Sequence, residues 1–229
     1  MRFFDANAYV LPGDLARQLS KMRREHAAYR IRGALISPLG TPDELNEPLL
    51  KALSEAAGGY YAAVAVGGRS APPLSGKVKA VRVDPAAGRE GLIRGAELAE
   101  REGLTLLVSL RSRWGGPSFS ATEVEPILTE FRSVPIVLSG VNYGETAWLI
   151  TSVSNLPHVY VEVSMYHQMG GLRLLAEELG ANRLLFGTAY PLQPLPVAML
   201  KLLLSGLSEA QLKAVAWDNA VRVLRVEAD

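Results

Sequence analysis

Short apolar runs alternate along this chain with longer stretches in which apolar residues recur every three or four positions. The runs at residues 2–5, 33–37, 61–66, 78–83, 105–110, 136–139, 159–163 and 184–186 read as strands, because a strand buried on both faces loses the polar alternation of a half-exposed one. The stretches at 14–29, 42–57, 89–102, 121–131, 145–154 and 171–179 carry helical spacing. Strands and helices taking turns predict parallel strands joined by crossover helices, and eight strands close a TIM-like (β/α)8 barrel of the α/β class. Between the third and fourth runs, residues 67–76 are too short and too rich in Gly and Pro for a helix, so one outer helix is expected to be missing there.

Helix starts are marked by a hydroxyl residue followed by a carboxylate in the first turn, at Thr41-Pro42-Asp43-Glu44 and Ser120-Ala121-Thr122-Glu123. The tail from Leu207 to Leu224 reads as a capped helix followed by a second one, with Asn219 as a cap or a partner of buried backbone. No repeat or linker divides the 229 residues, so one barrel domain over 1–229 is expected.

Composition narrows the function classes. Apolar residues make up 48% of the chain, charged residues 21%, and the net charge is +1, so neither disorder nor a general affinity for polyanions is expected and nucleic acid is not an expected partner. The chain has no cysteine, which removes thiolate nucleophiles, disulfides and sulfur ligands together. Neither a signal-type apolar core nor a run of about 18 apolar residues is present, so a cytoplasmic protein with no membrane partner is expected.

The segment Leu184-Leu185-Phe186-Gly187-Thr188-Ala189-Tyr190-Pro191 resembles the last barrel strand of the amidohydrolase-related, metal-dependent hydrolases, whose pattern is Leu-Phe-Gly-Thr-Asp-Tyr-Pro. Residues 155–164 resemble the penultimate strand of that family, residues 134–139 its sixth and 78–85 its fourth, and the tail resembles its closing helices. The resemblance implies a metal held by a His-x-His pair on the first strand and by residues on the later strands, among them the Asp of the last. In this chain those places hold Asp5 and Asn7 on the first strand, Ser109 and Arg111 at the fifth, Ser139 at the sixth and Ala189 at the eighth. No histidine remains at any of them.

Chemistry in such a barrel gathers at the C-terminal ends of the strands, where the loops converge. Asp5 and Asn7 stand two apart on a strand, so both are expected to face one way and to share a ligand. One carboxylate and one amide suit at most a loosely held, hydrated magnesium, so no metal and no cofactor is expected. His167, running off the seventh strand, is the candidate acid or base, with Asp5 as its companion in metal-free proton transfer. Arg82, Arg111 and Arg113 with Trp114 form a cationic, partly aromatic set suited to an anionic ligand, joined at the rim by Asn7, Ser139, Asn142 and Tyr190. The bland alternative pairs Arg82 with Glu162 or Asp84. His26 is expected to face solvent beside Arg23 and Arg24, and Glu162 to face inward with an arginine partner.

The expected function is therefore a diverged barrel that has lost metal-dependent hydrolysis and binds a small anionic molecule. Two alternatives stay open: an active hydrolase or lyase acting on a small carboxylate or lactone, and an interaction protein that forms a homodimer through the apolar stretch 197–204.

Overall fold

The computed structural model describes residues 1–39, 43–55, 58–67, 74–111 and 116–227. Eight strands form one sheet in sequence order, every neighbouring pair parallel: β1 Phe3–Val10, β2 Ile31–Pro38, β3 Gly59–Ala65, β4 Val78–Val83, β5 Thr105–Ser109, β6 Ile136–Ser139, β7 Val159–Glu162 and β8 Leu184–Leu185. The sheet closes between its ends. Ala6 N–H donates to the Phe186 carbonyl at 2.9 Å, Ala189 N–H to Asn7 at 2.8 Å and Tyr9 N–H to Tyr190 at 2.7 Å. The Phe-Gly-Thr-Ala-Tyr stretch is thus the seam of the (β/α)8 barrel.

The helices are α1 Leu15–Ala28, α2 Asn46–Ser54, α3 Gly88–Glu102, α4 Ala121–Glu130, α5 Thr146–Thr151, α6 Gly171–Leu175, α7 Leu195–Leu203, α8 Glu209–Lys213 and α9 Asn219–Leu224. Residues 68–73 of the Gly- and Pro-rich spacing between β3 and β4, where one outer helix is expected to be missing, fall outside the described residues, as does the Thr41-Pro42 cap. Ser120 starts α4 through a reciprocal capping box with Glu123, and Asn219 donates to the carbonyls of Ala181 and Leu184 at 2.8 and 2.7 Å. No helix among the described residues is long and apolar enough to cross a membrane. On α7 Val197, Leu200 and Leu203 are exposed, as is Leu204 at its C-cap.

Two cores follow from strand alternation. One lies between sheet and helices; the other fills the barrel with Phe4, Ala6, Leu35, Ala63, Ala80, Leu107, Val137 and Leu185, plugged at the N-terminal end by Trp217, Ala220 and Val223 of the tail. Two residues further along the strands, on the same inward face, the side chains become polar: Ser37 follows Leu35, Arg82 follows Ala80, Ser109 follows Leu107 and Ser139 follows Val137. That step from an apolar layer to a polar one builds the site.

Candidate functional site

β1 carries an irregularity between Asp5 and Ala8. An extra residue there breaks the alternation: Phe4 and Ala6 belong to the barrel interior and Ala8 to the outer core, while Asn7 and Tyr9 reach the inward-facing Arg82. The expectation that Asp5 and Asn7 face one ligand is therefore corrected. Asp5 turns toward α1, accepting from the backbone N–H of Asn7 and Thr188 at 3.0 and 2.9 Å and from the Thr188 hydroxyl, with its Oδ2 3.5 Å from His26 Nε2.

Arg82 stands at the centre of the polar layer, 1% exposed. Its Nε donates to Ser109 Oγ at 2.9 Å, Nη1 to Ser37 Oγ at 2.6 Å, and Nη2 to Asn7 Oδ1 at 2.9 Å, Tyr9 hydroxyl at 2.6 Å and Ser139 Oγ at 3.2 Å. The Tyr9 ring also lies 4.4 Å from the guanidinium carbon, and burial drives the Tyr9 phenol well above its usual pKa. Asp84 approaches Nε at 3.8 Å, as one bland pairing anticipated.

Glu162 ends β7 inside the same layer and is fully buried. Its Oε2 accepts from Asn7 Nδ2 at 2.7 Å and Ser164 Oγ at 2.9 Å, and Oε1 from the Ser164 N–H. The expected arginine partner is replaced by an amide bridge, for Asn7 donates to Glu162 while accepting from Arg82. Burial pushes the Glu162 carboxyl up to about 7 against the pull of its Ser164 hydrogen bonds and of Lys201. Lys201, on α7, donates to the Ser164 carbonyl at 2.6 Å, and burial lowers its ammonium to about 8.

The remaining candidates scatter. His167 is exposed, lowered in pKa by partial desolvation and by Lys201, and is not among the hydrogen-bond or ion-pair partners of Asp5. Arg111 forks onto Glu145 at 2.6 and 2.9 Å and donates to the Gly140 carbonyl, so its N–H fork is already engaged. Asn142 accepts from Gly144 N–H at 2.7 Å as the cap of a short turn. Tyr190 is turned to α1, its ring centre 5.8 Å from that of His26 in a T-shaped pair, and burial pushes its phenol up to about 12. Arg113 and Trp114 fall outside the described residues.

His26, expected to face solvent, faces the interior instead. It is fully buried, its Nδ1 3.3 Å from the Tyr60 hydroxyl, and its Nε2 faces Asp5 without a hydrogen bond among the described residues. The signal was present: Leu15, Leu19, Met22 and His26 make one buried stripe on α1. Burial lowers the His26 pKa more than Asp5 raises it. The unfolded chain then binds the extra proton first, so this residue's contribution holds above about pH 6.5 and is lost as the pH falls below it. Urea midpoints at acid and neutral pH should show the advantage of wild type over His26→Gln shrinking on acidification; a constant difference would refute the assignment.

The resemblance implies a metal, and the residues present do not fit one. Where it expects imidazoles and carboxylates stand an amide, two serine hydroxyls and Ala189, and a guanidinium already hydrogen-bonds to Asn7, Ser109 and Ser139. Among the described residues no group of three or more His, Cys, Asp or Glu side chains is placed to hold an ion. Ala189 keeps a left-handed φ of +54°, a conformation that Asp or Asn adopts more readily than Ala, so the backbone of the seam persists without its carboxylate.

Solved structures agree on the architecture. An uncharacterized TIM-barrel protein from Bordetella bronchiseptica superposes with a TM-score of 0.76 at 17% identity, over 98% of this chain and 99% of the other. The 5-carboxyvanillate decarboxylase of Sphingomonas paucimobilis gives 0.74 at 12% identity, over 99% of each chain. The 2,6-dihydroxybenzoate decarboxylase from Rhizobium gives 0.68 at 14% identity, over 98% of this chain and 99% of that one. No curated protein matches the sequence. The amidohydrolase family model matches residues 2–226, nearly the whole length of the barrel with its seam and closing helices, and the chain belongs to that family.

Proposed function

We propose that this barrel binds a small carboxylate at the C-terminal mouth and no longer performs ion-dependent hydrolysis. The observation that carries the reading is the environment of Arg82: its five hydrogen-bond acceptors are all neutral oxygens. A buried positive charge whose hydrogen bonds all go to neutral groups, with the Asp84 carboxylate 3.8 Å from Nε offsetting part of it, attracts an anion to the mouth above it. Glu162 offsets that charge less than an exposed carboxylate would, since burial raises its carboxyl well above the usual range. Two of the structural neighbours carry names of decarboxylases acting on hydroxylated benzoates, which makes small aromatic carboxylates the first ligands to try.

Thermal unfolding of the full chain against hydroxybenzoates and their uncharged amides tests this. A carboxylate at a hundred times its Kd should stabilise by about 2.7 kcal/mol, with no comparable shift from the amide. Equal shifts from both, or none from any carboxylate, would defeat the proposal.

One observation favours an active lyase: Glu162 ends a barrel strand inside the polar layer beside Asn7 and Ser164, and burial raises its carboxyl so that it can hold a proton to deliver. Carbon dioxide release from hydroxybenzoates, abolished in Glu162→Gln, is its expected signature. The exposed apolar face of α7 instead supports self-association with a second copy, which sedimentation equilibrium would show.

A further inference from the structure

We infer that the guanidinium of Arg82 occupies the place given to the ion in the barrels this chain resembles, so that the protein carries its own fixed cation there. Three of its acceptors, Asn7, Ser109 and Ser139, stand on β1, β5 and β6 at the places where ligands are expected. The exchange is chemically matched. A metal needs lone pairs with charge behind them, whereas a guanidinium needs neutral oxygens spread around a plane, and hydroxyls and an amide supply those. Ser37 and Tyr9 complete the fork on the side of β2 and β1.

The two cations also exclude each other. A divalent ion seated among Asn7, Ser109 and Ser139 would lie within a few ångströms of a permanent positive charge in a buried layer, where like charges are screened least. The guanidinium keeps part of an ion's usefulness, a positive centre that draws a carboxylate and ties separate strands together. It gives up the rest, because it has no vacant orbital with which to ligate and acidify a water. This inference does not depend on what the mouth binds; failure of every carboxylate would sink the preceding proposal and leave this one standing.

Two measurements on the unaltered full chain decide it first. In 15N-arginine spectra one Nε–H, assigned by its nuclear Overhauser contact to the Ser109 side chain, should persist in deuterium oxide long after the exposed ones have exchanged. Zinc or manganese added and then dialysed should remain at well under one equivalent. A third measurement removes the exclusion. Asn7→His, Ser109→His and Ser139→His together should leave zinc binding weak while Arg82 is kept, and adding Arg82→Ala should tighten it at least about 100-fold. Stoichiometric metal in the wild type, rapid exchange of the Arg82 Nε–H, or equal zinc affinity with and without Arg82 would each overturn the inference. Should the histidine variants fail to fold, the two wild-type measurements decide alone.

Discussion

Replacing Arg82 with methionine is expected to cost about 3–5 kcal/mol of folding stability, read from urea midpoints. Methionine fills much the same length and removes the charge, so the loss comes from the oxygens left behind. Asn7, Tyr9, Ser37, Ser109 and Ser139 would all lose a donor inside a layer where water is scarce. Ser109 and Ser139, 3.3 Å apart, can turn to each other, but the Asn7 carbonyl oxygen has no such recourse. Against a total stability of about 5–15 kcal/mol the variant should be close to unfolding at ordinary temperature. Arg82→Lys separates charge from shape: an ammonium keeps the charge but radiates from one point and cannot reach acceptors on four strands, so most of the loss should persist. Adding Ser37→Ala, Ser109→Ala and Ser139→Ala to Arg82→Met should recover part of it, since an apolar layer has nothing to satisfy. A loss under about 1 kcal/mol for Arg82→Met would mean that the network is not holding the strands together.

The architecture was legible because a parallel barrel strand is short, apolar and bounded by turns, a signature that survives in any local window. The strands expected at 78–83 and 136–139 are found with those bounds. β1 runs to Val10 rather than ending at Asp5, for Asn7 interrupts the apolar run while standing inside the barrel. α7 lies outside the helical stretches expected from the sequence, because prolines at 194 and 196 argue against a helix; the first is its cap and the second lies in its first turn, where no backbone N–H is missed.

The site was less legible. Arg82 was singled out for its charge and its place near a strand end, yet its partners come from β1, β2, β5 and β6, and only closure of the sheet brings them together. Ser109 and Ser139 stand out in the sequence at the ends of β5 and β6, but Ser37 near the end of β2 does not, and their shared role shows only once the sheet closes around Arg82. The bulge in β1 leaves no mark that residue types alone reveal, and it decides that Asn7 joins Arg82 while Asp5 joins His26.

Gly187→Ala should cost about 3 kcal/mol or more, although the change adds one methyl group on a backbone that any residue can adopt. The added carbon would overlap Glu162 Oε1, lie 2.6 Å from its Cδ and sit 3.0 Å from Asn7 Cβ. Glu162 cannot yield without leaving the Ser164 N–H and the Asn7 amide, and Asn7 in turn holds Arg82, so a clash at the seam spreads into the polar layer. The glycine of the Phe-Gly-Thr stretch is therefore required by a side chain on the neighbouring strand. A double-mutant cycle makes that causal chain measurable: in a Glu162→Ala background the carboxyl is gone, and Gly187→Ala should cost at least about 1 kcal/mol less than in wild type. An equal cost in both backgrounds would show that the glycine serves the backbone of the seam, and would detach it from the carboxyl at the mouth.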